Sequence, residues 1–498
     1  MTSSLFAARS TPNPAVVSHG TITIRQRERP AWYNEEHHSY GLLTRQLNGF
    51  FNPWKSFHKP TLWEVATGAS IGKIEETAHA VDERDPVEVA EESLEVVTPI
   101  WATTQSPDTG SSLSPSTLTS EENLSASPNC HLSATWLGHA GVLVQIPFGS
   151  SSINILVDPI FSARSSPAQS AGPSRIVKSP CTVADLPQIH ILAISHNHYD
   201  HLDLATLLGV YKKEKESLHI FVPSGNKSLL VGQGIPSTQI TESDWWEEHD
   251  VVISLAKGEN MPLLRVACTP AQHNSGEHQL DSNSSLWSSW YFSSYDSASP
   301  ASTDEPKHRV YFAGDTGLRY RDQAVKDHEW ETCPIFLDIA QRYGTPDLAL
   351  LPISVGGTLP YVKSWDPAPA GWSLVPEIPE ALTSSTHMSP ADAVDLHKLL
   401  LGHELFSTED SPNGIEASQS ANTPLPGRKR LISLAIHFGT FCSGPAESRD
   451  TIRTLRRECK DKEVLFMKLA GRDSLIEQDQ ESSFVVMDHG ATIKIAVA

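Results

Sequence analysis

The sequence predicts an α/β protein whose strands end in metal-binding side chains, and three observations carry that reading. The mainly apolar run Ile189 to Ile194 leads directly into Ser195-His196-Asn197-His198-Tyr199-Asp200-His201. Three later apolar segments also stop at a histidine or an aspartate: Leu263 to Ala267 before His273, Val310 to Phe312 before Asp315, and Leu431 to Ile436 before His437. A helix start stands between the last two, at Ser389-Pro390-Ala391-Asp392-Ala393-Val394, with a serine cap, a proline in the first position and an acid in the first turn.

Side chains alternate in direction along an extended segment. His196 and His198 therefore face one cation from the same side, while Asp200 and His201, at the turn into the next element, reach a second. Imidazole and carboxylate without thiolate suit Zn²⁺, with Mn²⁺ or Fe²⁺ as poorer occupants. A two-metal hydrolytic centre needs about seven or eight protein contacts and a bridging water. His273, in Pro270-Ala271-Gln272-His273, Asp315, in Ala313-Gly314-Asp315-Thr316-Gly317, and His437, in Ile436-His437-Phe438-Gly439, offer the remainder. A lone histidine after a strand is more often a core or capping residue, so the argument rests on the joint occurrence of these residues in this order.

With these strand ends in place, the chain resembles the metallo-β-lactamase superfamily, whose members carry H-x-H-x-D-H, then a histidine, a bridging aspartate and a final histidine on successive strand ends. The resemblance implies an αββα sandwich, two mixed β-sheets flanked by helices, here with disordered insertions. Further motifs narrow it: Thr135-Trp136-Leu137-Gly138-His139-Ala140-Gly141-Val142-Leu143-Val144, Pro270-Ala271-Gln272-His273, Tyr311-Phe312-Ala313-Gly314-Asp315-Thr316-Gly317 and Ala435-Ile436-His437-Phe438-Gly439-Thr440-Phe441. Together with Asn52-Pro53-Trp54 and Phe484-Val485-Val486-Met487-Asp488-His489-Gly490, they are similar to the N-acyl-phosphatidylethanolamine-hydrolysing phospholipase D family, over residues 48 to 490.

The resemblance implies two Zn²⁺ per chain, the first held by His196, His198 and His273 and the second by Asp200, His201 and His437, with Asp315 bridging. It implies a zinc-dependent phosphodiesterase with a phospholipid substrate, releasing N-acylethanolamine and phosphatidic acid, with Asp200, Asp315 and His387 as the catalytic candidates. His387, in Thr386-His387-Met388-Ser389-Pro390, matches a family histidine beside the metals and is a candidate for contacting phosphate or steering a proton. It also reads as the neighbour of a helix cap. His139, in the turn Leu137-Gly138-His139-Ala140, is a supporting or a packing residue. Ser195, Asn197 and Asp203 are candidates to orient the ligand imidazoles. Two divalent cations bring the pKa of a bridging water toward neutrality and screen charge developing on a phosphoryl oxygen. No G-x-S-x-G elbow offers a serine nucleophile. Two alternatives stay open: a metallohydrolase of a soluble ester, lactone or phosphodiester, and a non-catalytic metal-binding scaffold, against which the complete ligand set argues.

The length of 498 residues admits about two to four domains by size alone. The single series of ligands argues for one catalytic domain, residues 129 to 498. Ahead of it the sequence reads as an irregular tail over residues 1 to 40, a segment over 41 to 83 packing on the catalytic domain, and a linker over 84 to 128 too poor in apolar residues to fold. Leu280 to Glu305 and Leu405 to Arg428, rich in Ser, Asp, Pro and Asn, read as surface loops. Leu350 to Pro360, where the family more often has an aromatic and charged sequence, reads as a loop at the pocket mouth.

A net charge of −21 argues against nucleic acid as a partner. The six cysteines lack C-x-x-C spacing and fit free thiols in a reducing compartment, with Cys268 and Cys442 read as small buried hydrophobes. No run of about eighteen apolar residues marks a membrane span, so a lipid would be reached by peripheral docking. Phe50, Phe51, Trp54, Phe57 and Leu62 serve either as that contact or, the favoured reading, as packing against the sandwich. An intracellular, cytoplasmic protein with peripheral membrane association follows. Arg9, Arg25, Arg27 and Arg29, with Glu28 the only acid in the first thirty residues, give a mitochondrial presequence as the alternative. The oligomeric state is left open, a homodimer included.

Overall fold

Strands that are apolar on both faces need cover on both faces, and alternation along them shows what covers each. The computed structural model describes residues 16–29, 33–40, 47–61, 63–64, 70–73, 92–101, 131–149, 151–254, 262–276, 281–301, 304–322, 326, 329–354, 372–377, 380–403, 430–442 and 444–496. In the strand Ser151–Val157, Ile153, Ile155 and Val157 share a core with Val266, Phe292, Phe312 and Leu434 of a second sheet. Leu156, pointing the other way, joins Leu192, Leu207 and Val210 in a separate core beneath the helix Leu204–Glu214. Neighbouring strands divide alike: Val142, Val144 and Ile146 against Leu143, and Phe221 against Ile220 and Val222. The second sheet is covered by the helices Ile335–Tyr343, Pro390–Leu400 and Pro445–Asp461, through Ile339, Val394, Leu396, Ile452 and Leu455. Helix, sheet, sheet and helix form an αββα sandwich.

Among the described residues, one sheet has eight strands in the order Ile240–Ser243, His219–Pro223, Ile191–Ala193, Ser151–Val157, Gly141–Phe148, Leu132–Gly138, Thr492–Ile495 and Asp473–Ile476. The other has ten: Val16–His19, Ile22–Gln26, Glu248–Ile253, Leu263–Thr269, Ser289–Tyr295, His308–Phe312, Leu348–Pro352, Ile432–Ile436, Ser483–Met487 and Leu465–Leu469. Both are mixed. Ser151–Val157 and Ile191–Ala193 are parallel. Leu263–Thr269 and His308–Phe312 are both antiparallel to the strand between them, and Ile432–Ile436 is parallel to His308–Phe312 through Leu348–Pro352. Within each sheet these strands therefore end on one edge, the usual place for a site in an α/β protein.

Several sequence expectations are corrected. Ser289–Tyr295, inside the stretch read as a surface loop, is a wholly buried central strand. The Ser- and Asp-rich flanks set the composition there, whereas Trp290, Tyr291 and Phe292 set the structure. Residues 16–26, read as part of an irregular tail, supply two strands at the edge of the larger sheet, with Ile22 and Ile24 buried. Residues 92–101, read as part of a linker, dock: Val97 N donates to the His489 carbonyl, His489 N to the Glu95 carbonyl, and buried Glu92 pairs with Arg453 at 3.0 Å. Leu350 to Pro352 belongs to a buried strand rather than a loop. Residues 355–371 and 404–429 lie outside the described residues, as do Arg9, Leu62 and Cys130. Of the aromatic residues proposed for membrane contact, Phe50 is buried and Trp54 stacks on Trp245, while Phe51 is exposed.

The N-terminal hairpin of His38–Tyr40 and Leu47–Phe50 is fastened to the core by buried Phe50, whose N donates to the Asn283 carbonyl at 2.9 Å, and by one carboxylate. Asp244 faces His37 Nε2 and His38 Nε2 at 2.7 Å each, and accepts from Tyr33 Oη at 2.5 Å and from Trp245 N at 2.8 Å. Both carboxylate oxygens are thereby satisfied, as a buried charge requires.

Candidate metal centre

The strand ends bring all seven proposed ligands together. His196 Nε2 lies 2.8 Å from His198 Nδ1, and His273 Nε2 is 3.2 and 3.3 Å from those two atoms. A tetrahedral zinc with nitrogen ligands about 2.0–2.1 Å away separates them by roughly 3.3 Å, so the three nitrogens have the spacing of ligands around one cation. Beside them, Asp200 Oδ2 lies 3.5 Å from His201 Nε2 and 3.6 Å from His437 Nε2. Asp315 stands between the groups, with Oδ2 3.2 Å from His201 Nε2 and 3.8 Å from His273 Nε2, and Oδ1 3.0 Å from His437 Nε2.

Unpartnered atoms test whether cations fit there. His201 Nε2, His437 Nε2 and Asp315 Oδ1 are buried, point at one another and form no hydrogen bond. Such atoms cost about 1–3 kcal/mol each when left unsatisfied, a cost that a divalent cation between them removes. The donor set of imidazole nitrogens and carboxylate oxygens is one that zinc accepts. Electrostatics without the cations agree. Burial holds the His196 and His273 imidazoles well below the usual histidine range, leaving the neutral rings that a metal requires. Burial also opposes protonation of His437, yet the charge of Asp315 and the contact with Asp200 raise it to about 9, so a proton stands in for positive charge.

Supporting residues orient the rings. His201 Nδ1 donates to Asp158 at 2.7 Å, and Ser195 donates to Asp158 through its backbone N at 2.8 Å. Ser195 Oγ lies 2.9 Å from His196 Nδ1, as expected of an orienting residue. Asn197 and Asp203 do other work. Asn197 Oδ1 accepts from Gly276 N at 2.9 Å, tying down the loop after His273, and Asp203 holds the turn Phe161-Ser162 and Thr206. His139 is a supporting residue: Nε2 is 2.8 Å from Asp200 Oδ2, and its carbonyl accepts from His437 N at 2.9 Å. Burial and then the neighbouring His437 lower its pKa to about 4. Gly314, at a φ of 59°, lets the Asp315 turn cross the His196 turn, where a β-carbon would stand 2.6 Å from Ser195 Cβ.

His387 Nε2 lies 3.3 Å from Asp315 Oδ2, with its ring edge-on to His273 and a quarter of its side chain exposed. It is thus both beside the ligands and open to an incoming molecule. The helix behind it begins as the sequence predicts, with Ser389 Oγ accepting from Asp392 N and Pro390 in the first turn. Sequence reasoning missed Asp158, although Ile153-Asn154-Ile155-Leu156-Val157-Asp158 shows the same signature of an apolar run ending in a carboxylate. It singled out Asn52-Pro53-Trp54 as a motif but gave Asn52 no role, and Asn52 Nδ2 donates to the His273 carbonyl at 2.7 Å.

A sandwich of this form, with histidine and aspartate gathered where its strands end, defines a metal-centre fold, and residues 153–407, just over half of the chain, match the family model described as "Beta-lactamase superfamily domain". The chain belongs to that superfamily, whose fold implies binding of divalent metal. Similar proteins include an uncharacterized protein of Mycobacterium tuberculosis, 29% identical over 326 residues, 64% of this chain and 63% of the relative. The chain thus spans just under two thirds of that relative's length. N-acyl-phosphatidylethanolamine-hydrolyzing phospholipase D 1 of Caenorhabditis elegans is 28% identical over 341 residues, 66% of this chain and 72% of the relative. The Saccharomyces cerevisiae protein named N-acyl-phosphatidylethanolamine-hydrolyzing phospholipase D, mitochondrial, is 33% identical over 224 residues, 45% of this chain and 40% of the relative.

Proposed function

We propose that this protein is a hydrolase, a two-zinc phosphodiesterase of the phospholipase D type that cleaves N-acyl-phosphatidylethanolamine with water to N-acylethanolamine and phosphatidic acid. The observation that carries the reading is Asp315, within 4 Å of His201, His273, His387 and His437 at once. In this reading His196, His198 and His273 hold one zinc, Asp200, His201 and His437 the other, and Asp315 reaches both. When bound, two such cations supply a nucleophile at neutral pH and positive charge for a phosphoryl oxygen.

The chain's own residues do the rest. Asp158 and Ser195 fix the rings of His201 and His196, His139 holds Asp200, and His387 stands where it can meet the phosphodiester or pass a proton to the leaving alkoxide. The relatives of worm and yeast carry the substrate in their names, which supports but does not by itself assign it here. A membrane-borne substrate fits peripheral docking, because no helix among the described residues is long and apolar enough to cross a membrane. We place the protein at an intracellular membrane surface, and the name of the yeast relative keeps the mitochondrion as the alternative. The negative net charge leaves nucleic acid out of the proposal.

Metal content and hydrolysis of N-acyl-phosphatidylethanolamine in mixed micelles, compared between the parent chain and Asp315→Asn, test the reading. Two zinc per chain with lipid cleavage that the substitution abolishes is the expected result. Two zinc with cleavage of a small ester or lactone but not of the lipid would move the substrate to the soluble class. Metal without hydrolysis of any ester would make the centre a scaffold.

A further inference from the structure

Behind the ligand cluster, the dipeptide Gln272-His273 and the dipeptide Ser385-Thr386 meet in register. His273 Nδ1 donates to the Thr386 carbonyl at 2.8 Å, and Gln272 Nε2 donates to the preceding carbonyl, Ser385, at 2.9 Å. The next residue is His387. Gln272 is itself fully buried and held at every polar group: its backbone N donates to Thr316 Oγ1 at 2.8 Å, its carbonyl accepts from Gly317 N at 2.9 Å, and Oε1 accepts from Ser56 Oγ at 2.5 Å. Ser385 Oγ in turn donates to the His58 carbonyl at 2.6 Å, and Tyr320 N donates to the Ser56 carbonyl at 2.9 Å. Gln272 therefore joins, through its backbone, the loops that present His273 and Asp315 and, through its amide, the turn before His387 and an N-terminal strap at residues 52–58.

We infer that Gln272 is a positioning residue that sets His387 over Asp315, with Ser56 fixing the amide so that its NH₂ faces Ser385. The amide has one acceptor and two donors. With Oε1 taken by the Ser56 hydroxyl, the nitrogen end is directed at the carbonyl two residues before His387. The Gln272 amide bonds to Ser56 and Ser385 and to no ligand side chain, so changing that amide acts through the turn that carries His387. The inference rests on the proposed function only for its kinetic readout.

The test is a double-mutant cycle on the zinc-loaded full chain, with Gln272→Met, His387→Ala and the pair, and bis(p-nitrophenyl) phosphate as probe. Groups that support a metal site typically carry about 10–100-fold in affinity or activity. Gln272→Met should thus lower kcat by about that factor with zinc content and KM little changed, and the pair should be no slower than His387→Ala alone. Ser56→Ala, which leaves Gln272 in place, should show a smaller loss in the same direction. Losses that add in the cycle, or loss of zinc in Gln272→Met, would overturn the inference. Carbethoxylation of His387 by diethyl pyrocarbonate, followed by mass spectrometry, needs no turnover: modification severalfold faster in Gln272→Met supports the inference, and an unchanged rate refutes it. Failure of the parent chain to cleave any phosphodiester would count against the proposed function alone, since the carbethoxylation result stands apart from it.

Discussion

Asp158 accepts a hydrogen bond from His201 Nδ1 at 2.7 Å, and neither side chain has any exposed surface. The bond fixes the imidazole tautomer, so the Nε2 lone pair faces Asp200 and Asp315. Asp158→Asn preserves the shape but removes the charge that makes the ring a stronger donor to a cation. Zinc affinity at the second position should fall by about 10–100-fold while the first is retained. Competition with a chromophoric chelator reads the two separately, and equal affinities in parent and variant would show that the carboxylate is only packed there.

Gly317 touches the turn that precedes His387. A β-carbon there would lie 2.3 Å from the carbonyl carbon and oxygen of Ser385, so backbone must shift to admit it. Gly317→Ala should destabilise the fold by about 1–3 kcal/mol, the usual range for overpacking, and reduce kcat at temperatures where the variant remains folded. Urea denaturation and kinetics on one preparation check both. Wild-type kcat in a destabilised protein would show that the turn moves without carrying His387 with it.

Burial of Phe292 decides between the surface loop expected from composition and the central strand observed. Phe292→Ala should cost about 3–5 kcal/mol, the range for removing a core phenylalanine. An exposed loop residue would cost within about 0.5 kcal/mol. Equilibrium unfolding distinguishes the two.

The fastening of the N-terminal hairpin should depend on pH. Burial is the largest influence on His38 and disfavours its charged form, but the bond to Asp244 and the charges of Asp244 and Glu35 outweigh it and raise the pKa. Burial likewise works to raise Asp244, and His37, His38 and Tyr33 together hold it below the usual carboxylate range. Arg29 and Glu247 complete the charged surroundings. A raised histidine stabilises fully below about pH 6.5 and loses that contribution as pH passes its folded pKa, and a depressed aspartate stabilises above about pH 3.9. Hydrogen exchange of residues 47–50 should therefore be slowest relative to the core between these limits and quicken toward alkaline pH. The pH dependence should vanish in Asp244→Asn, and its persistence there would place the titrating group elsewhere.

Much of the centre was legible in the sequence because metal ligands come from few residue types and sit where apolar strands stop. His196, His198, Asp200, His201, His273, Asp315 and His437 are each marked by such a local pattern. The errors came from letting the composition of a window stand for its core positions. Serine-rich flanks hid the strand at Trp290 to Phe292, and the acidic stretch around Glu92 hid a segment that docks through backbone bonds and one ion pair.

The class of fold, the chemistry of the ligands and their order along the chain follow from the sequence alone, because alternation and residue type act over a few neighbours. That His139 faces Asp200, that Asp158 rather than Asp203 supports His201, and that Ser56 reaches Gln272 across 216 residues of chain are visible only once the chain has folded. Those contacts join residues with no shared periodicity. They form when sheets and loops pack, where an unpaired buried polar group costs more than ordering its partner, and a partner so distant leaves no trace in either residue's neighbourhood.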